Sequence, residues 1–525
     1  MKHYSPLKPI ALAIMVLTLA GTAQAGTEPI DLGNGLTFDW KLSTTYALSQ
    51  RMKNPSPLLA GDAGSNDGNN NFKKGALTAN RLSALFESTL AKGDTGFVFS
   101  ASSFYDGVYH RSNYNQGPVN KPGAVNEFTA DARKYHGGYS RILDAYAYTA
   151  FDFGKDSRAT LRLGRHAVNW GEALYFPNIA MAQGPFDGTK SGVPGTETKD
   201  QILAEDQLSA SIRVTPRWSL LGQVQYNFHP TLAAAPGSFM STSDSTGHGG
   251  TCLDPYVPGS NYCPYGERGP DMRPGKTGQW AIGSRYRVTD GTEVGVYYMN
   301  YHDRTPLPEI DFAARNYDAT YRTRYFDNIK LLGGTVSTTF GPVSAYTEFT
   351  YRKGAPVLVG AAAAATRANI SQLNVGGFYN AGRSPIADSM LFLGEISAVK
   401  IGGITPRGAT GLEGVVPVSN KPYFETKSGL AMSGTLVLEY PGITDNWGLM
   451  IPISYSQQLR GRTILGGVGG QGDKRYSIGA SFTKNSNLTI DVTYVGNIGK
   501  ASLDVKRERM ETDRDQLSVS MKYVF

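Results

Sequence analysis

The last nine residues, Leu517 to Phe525, constrain this chain more than any other stretch. Leu517, Val519, Met521, Tyr523 and Phe525 fall on one side of a strand and Ser518, Ser520 and Lys522 on the other, because strand side chains alternate with period two. A nine-residue strand tilted by about 40° rises roughly 23 Å, enough to cross the apolar layer of an outer membrane. Such an ending, with Tyr523 and the terminal Phe525 on the apolar face, resembles the closing strand of bacterial outer-membrane barrels, in which these residues would be read as an insertion signal. A sandwich strand that happens to end the chain would show the same alternation, so the rest of the sequence has to decide.

The N-terminus supplies the compartment. Lys2, His3 and Lys8 precede an apolar run from Ile10 to Ala20, and Ala23-Gln24-Ala25 offers a small-x-small cleavage site, so residues 1–25 are expected to be a cleaved signal peptide. The run is shorter than the roughly 20 apolar residues of a spanning helix. Loss of Lys2 and Lys8 lowers the formal charge from +7 to +5, which implies no nucleic-acid partner. With 62 Gly, 30 Tyr and 18 % charged residues, residues 26–525 suit one barrel of alternating strands, and no linker divides them. Cys252 and Cys263 are the only cysteines, and in a secreted chain so close a pair is expected to form a disulfide that stabilises its loop by about 2 to 3 kcal/mol.

Alternating segments recur in hairpins throughout. After a first strand at Leu36–Leu48, paired runs are expected at 82–91 with 96–106, 143–153 with 158–169, 207–214 with 218–228, 280–288 with 294–301, and 329–340 with 343–352. Further pairs follow at 369–379 with 389–400, 430–440 with 447–455, and 476–482 with 488–494, before the terminal strand. The expected fold is therefore all-β, a transmembrane antiparallel up-and-down barrel of about 18 strands, 16 at the fewest. Short turns alternate with long Gly- and Pro-rich segments, which places the turns in the periplasm and the long loops outside. A soluble sandwich gives no reason for that segregation. About eighteen strands make a cylinder roughly 35 Å across, too wide for side chains to fill.

Polar faces of these strands carry Glu87, Asp144, Arg158, Arg162, Arg213, Arg285, Arg287, Glu348 and Glu395. They either line a solute path or form a salt-bridge lattice on the wall. Alternation breaks after Leu163, and Arg165, His166, Asn169, Trp170 and Glu172 precede a long segment, so loop 170–206 is expected to fold into the lumen and place these residues at a constriction; an outer-rim turn packing its own polar groups is the alternative. The GxGxxG spacing of Gly467, Gly469 and Gly472 lacks a following helix, and Asp62, Asn66 and Asp67 lack the spaced Glu of a calcium hand. No metal, cofactor or enzyme signature emerges.

The stretch Leu161–Pro177, LRLGRHAVNWGEALYFP, resembles the GRQ-x-x-NWGE pattern of the outer-membrane family known as domain of unknown function 1302. Similar likenesses follow in order at EFTYRKGAP (348–356), ADSMLFLGEIS (387–397) and Trp447–Gly461, while His166 replaces the usual Gln and Lys353-Gly354-Ala355 depart from a Pro-Asn-x run. The resemblance implies an outer-membrane barrel of a Gram-negative bacterium, often encoded near lipid-type envelope transporters and enzymes that catabolise hydrophobic compounds. It therefore implies a channel for small hydrophobic or amphipathic solutes. The alternatives are a loop-plugged structural or assembly barrel serving an envelope transport system and an outer-membrane lipid-modifying enzyme. Expected partners are outer-membrane lipids and lipopolysaccharide, the barrel assembly machinery, and an inner-membrane transporter or periplasmic lipoprotein.

Overall fold

The computed structural model describes residues 29–257, 260–315 and 318–525. The signal peptide expected over residues 1–25 lies outside the described residues. Eighteen long strands, each antiparallel to its neighbours in sequence, close into one barrel. They are β1 (Leu36–Arg51), β2 (Leu77–Lys92), β3 (Thr95–Asp106), β4 (Gly138–Asp152), β5 (Arg158–His166), β6 (Glu205–Thr215), β7 (Trp218–Gln225), β8 (Gln279–Thr289) and β9 (Thr292–Tyr301). The second half comprises β10 (Ile329–Phe340), β11 (Val343–Val359), β12 (Ala364–Gly382), β13 (Ser389–Gly402), β14 (Ser428–Thr444), β15 (Trp447–Arg460), β16 (Lys474–Lys484), β17 (Leu488–Ile498) and β18 (Gln516–Val524).

The terminal strand closes the wall as its alternation requires. Ser43 to Arg51 of β1 pair with Val524 to Gln516 of β18, and Phe525 extends the seam by donating its N–H to Leu42 O at 2.8 Å. Below Phe525 the edge of β1 is taken over by Ile30–Gly33, which folds back on Leu36–Phe38, so the seam leaves few backbone groups unpaired. Tyr523 and Phe525 pack edge to face with centroids 4.7 Å apart.

Outward positions are apolar around the wall and open to the surroundings: Leu163 is 56 % exposed, Val296 60 % and Ile396 51 %. A continuous band of this kind would be ruinous in water, and in a closed sheet it is the face that meets lipid; the barrel spans a membrane. Trp218 and Tyr298 stand among the exposed outward aromatics. Short turns such as Gly341-Pro342, where Gly341 takes φ 57°, join strands at one end, and long segments join them at the other.

One outer connection departs from that rule. Residues 353–368, expected as an external loop, continue β11 and β12, which turn between Val359 and Ala364. A bulge between Lys353 and Ala355 and the alanine run 361–365 hide the alternation, while buried Val357, Leu358, Val359 and Ala365 pack the extended hairpin into the main apolar cluster. The expected strand ends at Asn169 and Phe228 also move inward, to His166 and Gln225.

Outside the membrane, Leu307–Arg315 and Asp318–Arg324 form a hairpin with Glu267–Arg268 added in parallel. The expected Cys252–Cys263 disulfide is formed beside it, with Cα atoms 5.8 Å apart. Beneath the outer loops Asp67 and Asp244 are both buried. Asp67 donates its backbone N–H to the Asp244 carboxylate at 3.2 Å and accepts from Asn115 Nδ2 at 3.0 Å. Burial pushes Asp67 from 3.8 up to about 6 and raises Asp244 well above the usual carboxylate range, against opposing pulls from Lys121 and Arg514. Since the folded values are raised, this pair's contribution to loop packing is fully present below about pH 4 and is lost as the pH rises through about 6. Amide exchange over 66–71 and 237–244 is therefore expected to be slower at pH 5 than at pH 7.5 after correction for intrinsic rates. The double substitution Asp67→Asn with Asp244→Asn should give the slow behaviour at both pH values; an unchanged pH dependence in that variant would refute this.

Candidate functional site

The segment between β5 and β6 runs along the inner wall of β8 to β14. Its first fixed point is Trp170, which stacks on Tyr297 with centroids 6.0 Å apart, donates its N–H to Gln183 Oε1 at 2.8 Å, and accepts from Arg285 at 2.9 Å through its carbonyl. The second is Glu348, fully buried on β11. Its carboxylate accepts the backbone N–H groups of Glu172 at 2.5 Å, Ala173 at 3.1 Å and Ile179 at 2.6 Å. The third is Glu395 of β13, which takes the N–H groups of Leu174 at 2.8 Å and Tyr175 at 2.7 Å. Asn374 Nδ2 clamps Phe176 O, Arg352 clamps Asn178, and Tyr175 Oη reaches Thr435 of β14 at 2.7 Å. An irregular segment in a lumen cannot satisfy its own amides, and these inward carboxylates do it instead.

The rest of the segment is held on the wall of β1 to β4 and β18. Asp187 pairs with Arg141, Lys199 with Glu87 at 2.5 Å and Asp144 at 3.4 Å, and Glu197 with Lys522 at 3.2 Å, while Gln516 donates to Gly192 O at 2.8 Å. Residues 169–201 are thus tied to two separated arcs of the barrel wall.

The family of proteins of unknown function DUF1302 matches residues 7–525. The chain belongs to that family. No curated protein matches it. Among solved structures it is similar to OccAB1 of Acinetobacter baumannii, at 8 % identity and TM-score 0.47, over 96 % of this chain and 99 % of that one. It is similar also to OccD3 (OpdP) of Pseudomonas aeruginosa, at 11 % identity and TM-score 0.41, over 96 % of this chain and 94 % of that one. OpdK of Pseudomonas aeruginosa, solved with vanillate, matches at 9 % identity and TM-score 0.42, over 93 % of this chain and 98 % of that one.

The Asn-Trp-Gly-Glu run of this DUF1302 member now has a local explanation. Asn169 Oδ1 accepts the Gly171 N–H at 2.9 Å, and a Cβ on Gly171 would stand 2.9 Å from Glu348 Oε2, so only glycine lets the carboxylate reach the next two amides. Gly333 on neighbouring β10 makes room for the same segment, since a Cβ there would meet Ile179 Cδ1 at 3.2 Å.

Several residues expected on a solute path have other roles. Glu348 and Glu395 are buried under the segment, at 0 % and 2 % exposure, and hold it rather than face a solute. Arg165 is not at a constriction: it shares the outward face with exposed Leu163 and grips Asp206 of β6 at 2.9 Å near the outer rim. His166 is buried, bonded to Gly164 O and to Ser209 Oγ at 2.7 Å, and Trp170 is buried in the wall contact. Arg158 lies at the periplasmic mouth between Asp94 and Asp152, in register with exposed Arg213 on β6. Arg162 sits over the Tyr146 ring at 5.8 Å. Half-buried Glu172 and exposed Arg287 border a space of about 290 Å³ on the periplasmic side of the segment, also lined by Glu293, Tyr346 and Phe378.

Two lumen surfaces were not singled out from the sequence. The first is a hydroxyl wall. Among the described residues no hydrogen bond or ion pair joins segment 167–204 to β15, β16 or β17, whose inward face carries half-buried Ser454, Ser456, Ser477 and Thr493. Ser433 and Ser456 pair at 2.7 Å and Thr435 and Ser454 at 2.8 Å, continuing this wall onto β14. The second is an apolar patch on the periplasmic side of Glu395. Register puts Phe378 opposite Leu393, Leu391 opposite Val437, and Val437 opposite Pro452, all on the inward face shared with Glu395 and Thr435. Phe378 is 44 % exposed, and exposed Leu174 projects from the segment just above. The available signal was loss of alternation: Met390–Leu393, Leu436–Leu438 and Leu449–Ile453 are apolar on both faces.

Proposed function

We propose that this barrel is an outer-membrane channel for small hydrophobic or amphipathic organic solutes, with its path displaced to the side of the lumen lined by β14 to β17. The observation that carries the reading is the pairing of two surfaces there: a hydroxyl wall left uncovered by the lumen segment and, beside it, an apolar patch from Phe378 to Pro452. Apolar side chains facing a watery lumen forfeit about 25 cal/mol per Å² until something apolar covers them, so a solute with one greasy face and one hydrogen-bonding edge fits this sector. The hydroxyls exchange hydrogen bonds with such a solute at little desolvation cost, and the charges that share their face are engaged, Asp491 by the Ser520 hydroxyl at 3.2 Å and Arg475 by Asp473 and Glu511.

Purified protein reconstituted in a planar bilayer should conduct, and liposomes containing it should swell faster in a neutral aromatic alcohol than in a sugar of similar size. Phe378→Asn should narrow that preference while leaving ionic conductance within about twofold. Absence of both conductance and swelling would favour a structural barrel plugged by its own segment, a reading that the double anchoring of residues 169–201 supports.

A further inference from the structure

The outward face of the wall is grooved on β1 to β4. Register sets out the rows of the groove: Leu42, Phe86, Ala101 and Ile142; above them Thr44, Ala84, Ser103 and Ser140; above those Tyr46, Leu82 and Tyr105. Its lower part, about 330 Å³, lies over the first two rows, where the small side chains of Ala84 and Ala101 recess the surface. The rings of Trp40 and Phe99, each 6.4 Å from that of Phe86, close it below. Its upper part, about 360 Å³, opens over the third row and reaches the rim at His110 and Arg111. From Tyr46 down to Trp40 the groove descends roughly 15 Å at a tilt of about 40°, one leaflet of a core about 30 Å thick.

Polar groups meet this groove at two heights. Ser103 Oγ and Ser140 Oγ lie 2.8 Å apart and share one hydrogen bond, the only one either hydroxyl makes among the described residues. One hydroxyl proton is thus left to seek an acceptor where no water enters. At the rim the Arg111 side chain is exposed and, among the described residues, holds no acid. Lys73 and Lys74, just before β2, likewise hold none, Lys73 lying over the Tyr114 ring at 4.3 Å. No carboxylate lines either part among the described residues. The acids nearby are engaged: Asp106 faces inward and accepts the N–H groups of Asn80 and Val108, and Glu127 is held by Arg133. Arg141, which borders the lower part from the lumen side, is held by Asp187. An apolar slot one leaflet deep beneath unneutralised cations fits an acyl chain below a phosphate. We propose that the groove holds one molecule of lipopolysaccharide by its lipid A, with an acyl chain in the lower part, an ester or hydroxyl oxygen of that chain on the Ser103–Ser140 pair, and a phosphate on Arg111.

This site rests on the outer-membrane placement of the barrel and is independent of what the channel passes. Full-length protein refolded in lipid-free detergent and mixed with purified lipid A should retain one molecule per barrel in native mass spectrometry. Phosphatidylglycerol of the same chain length, which offers a single phosphate to Arg111, Lys73 and Lys74, should be retained at least about fivefold less. Arg111→Glu lies outside the wall and should keep heat-modifiable gel mobility while cutting lipid A retention at least about fivefold. Ala101→Trp, which fills the lower part, should lower retention as well, whereas Ile396→Trp, outward on β13 across the barrel, should leave it unchanged. Equal retention of the two lipids, retention that survives Arg111→Glu, or an equal loss in Ile396→Trp would overturn the proposal.

Discussion

Glu348→Ala is expected to raise single-channel conductance at least about twofold while leaving the barrel folded. Among the described residues, the carboxylate of Glu348 is the sole side-chain acceptor for the backbone N–H groups of Glu172, Ala173 and Ile179. Removing it leaves one buried and two half-buried donors without partners, at about 1 to 3 kcal/mol for the buried one and less for the others, whereas release of the segment into the watery lumen lets all three find water. Release of this stretch should therefore win, against the remaining ties of Trp170 to Arg285, of residues 174–176 to Glu395, Thr435 and Asn374, and of Asn178 to Arg352. The wall itself does not depend on this contact, because Glu348 keeps its ladder partners Thr335 and Asn374 on β10 and β12. Glu348→Gln, which retains one acceptor oxygen, should fall between the two. Bilayer recording together with heat-modifiable gel mobility measures both quantities. Unchanged conductance from correctly folded Glu348→Ala protein would show that the segment does not restrict flow.

Ser477→Trp should have the opposite effect, cutting conductance by at least about half. Ser477 lies in register between Ser454 and Val495 on the inward face of β16, in the arc where the segment makes no hydrogen bond among the described residues. An indole there projects into the sector assigned to the path. The neighbouring residue supplies the control, since Ile478 is outward and 48 % exposed to lipid, so Ile478→Trp should fold and conduct as the native protein does. Equal currents from both variants would place the path elsewhere in the lumen. A fall in both would point to a general distortion of β16.

Much of this architecture was legible in the residues because a barrel wall is built from a period-two code and its turns. Leu517 to Phe525 announced the closing strand, and its pairing with β1 followed from the need to leave no edge in lipid. The segregation of short turns from long segments placed the loops on one side. It failed at residues 353–368, where a bulge and an alanine run erased the alternation and the extended hairpin was stabilised by packing instead. For the site, the Arg165–Glu172 stretch flagged the right segment but not the right roles. Alternation around Gly164, which takes φ 124°, sends Arg165 outward, and no local pattern distinguishes a carboxylate that faces a solute from one that caps a crossing segment.

What the sequence determined by itself was the fold class, the closure, the disulfide and the face on which most strand residues stand, because all of these follow from neighbours within a few residues or from a repeated period. Only the tertiary structure decided what lies against that face. Glu172 meets Glu348 across 176 residues and Tyr175 meets Thr435 across 260, contacts set by the path of an irregular segment through the lumen. No periodicity encodes such a path, and it is this path that makes two buried glutamates into anchors and leaves the hydroxyl wall of β15 to β17 without a hydrogen bond to the segment among the described residues.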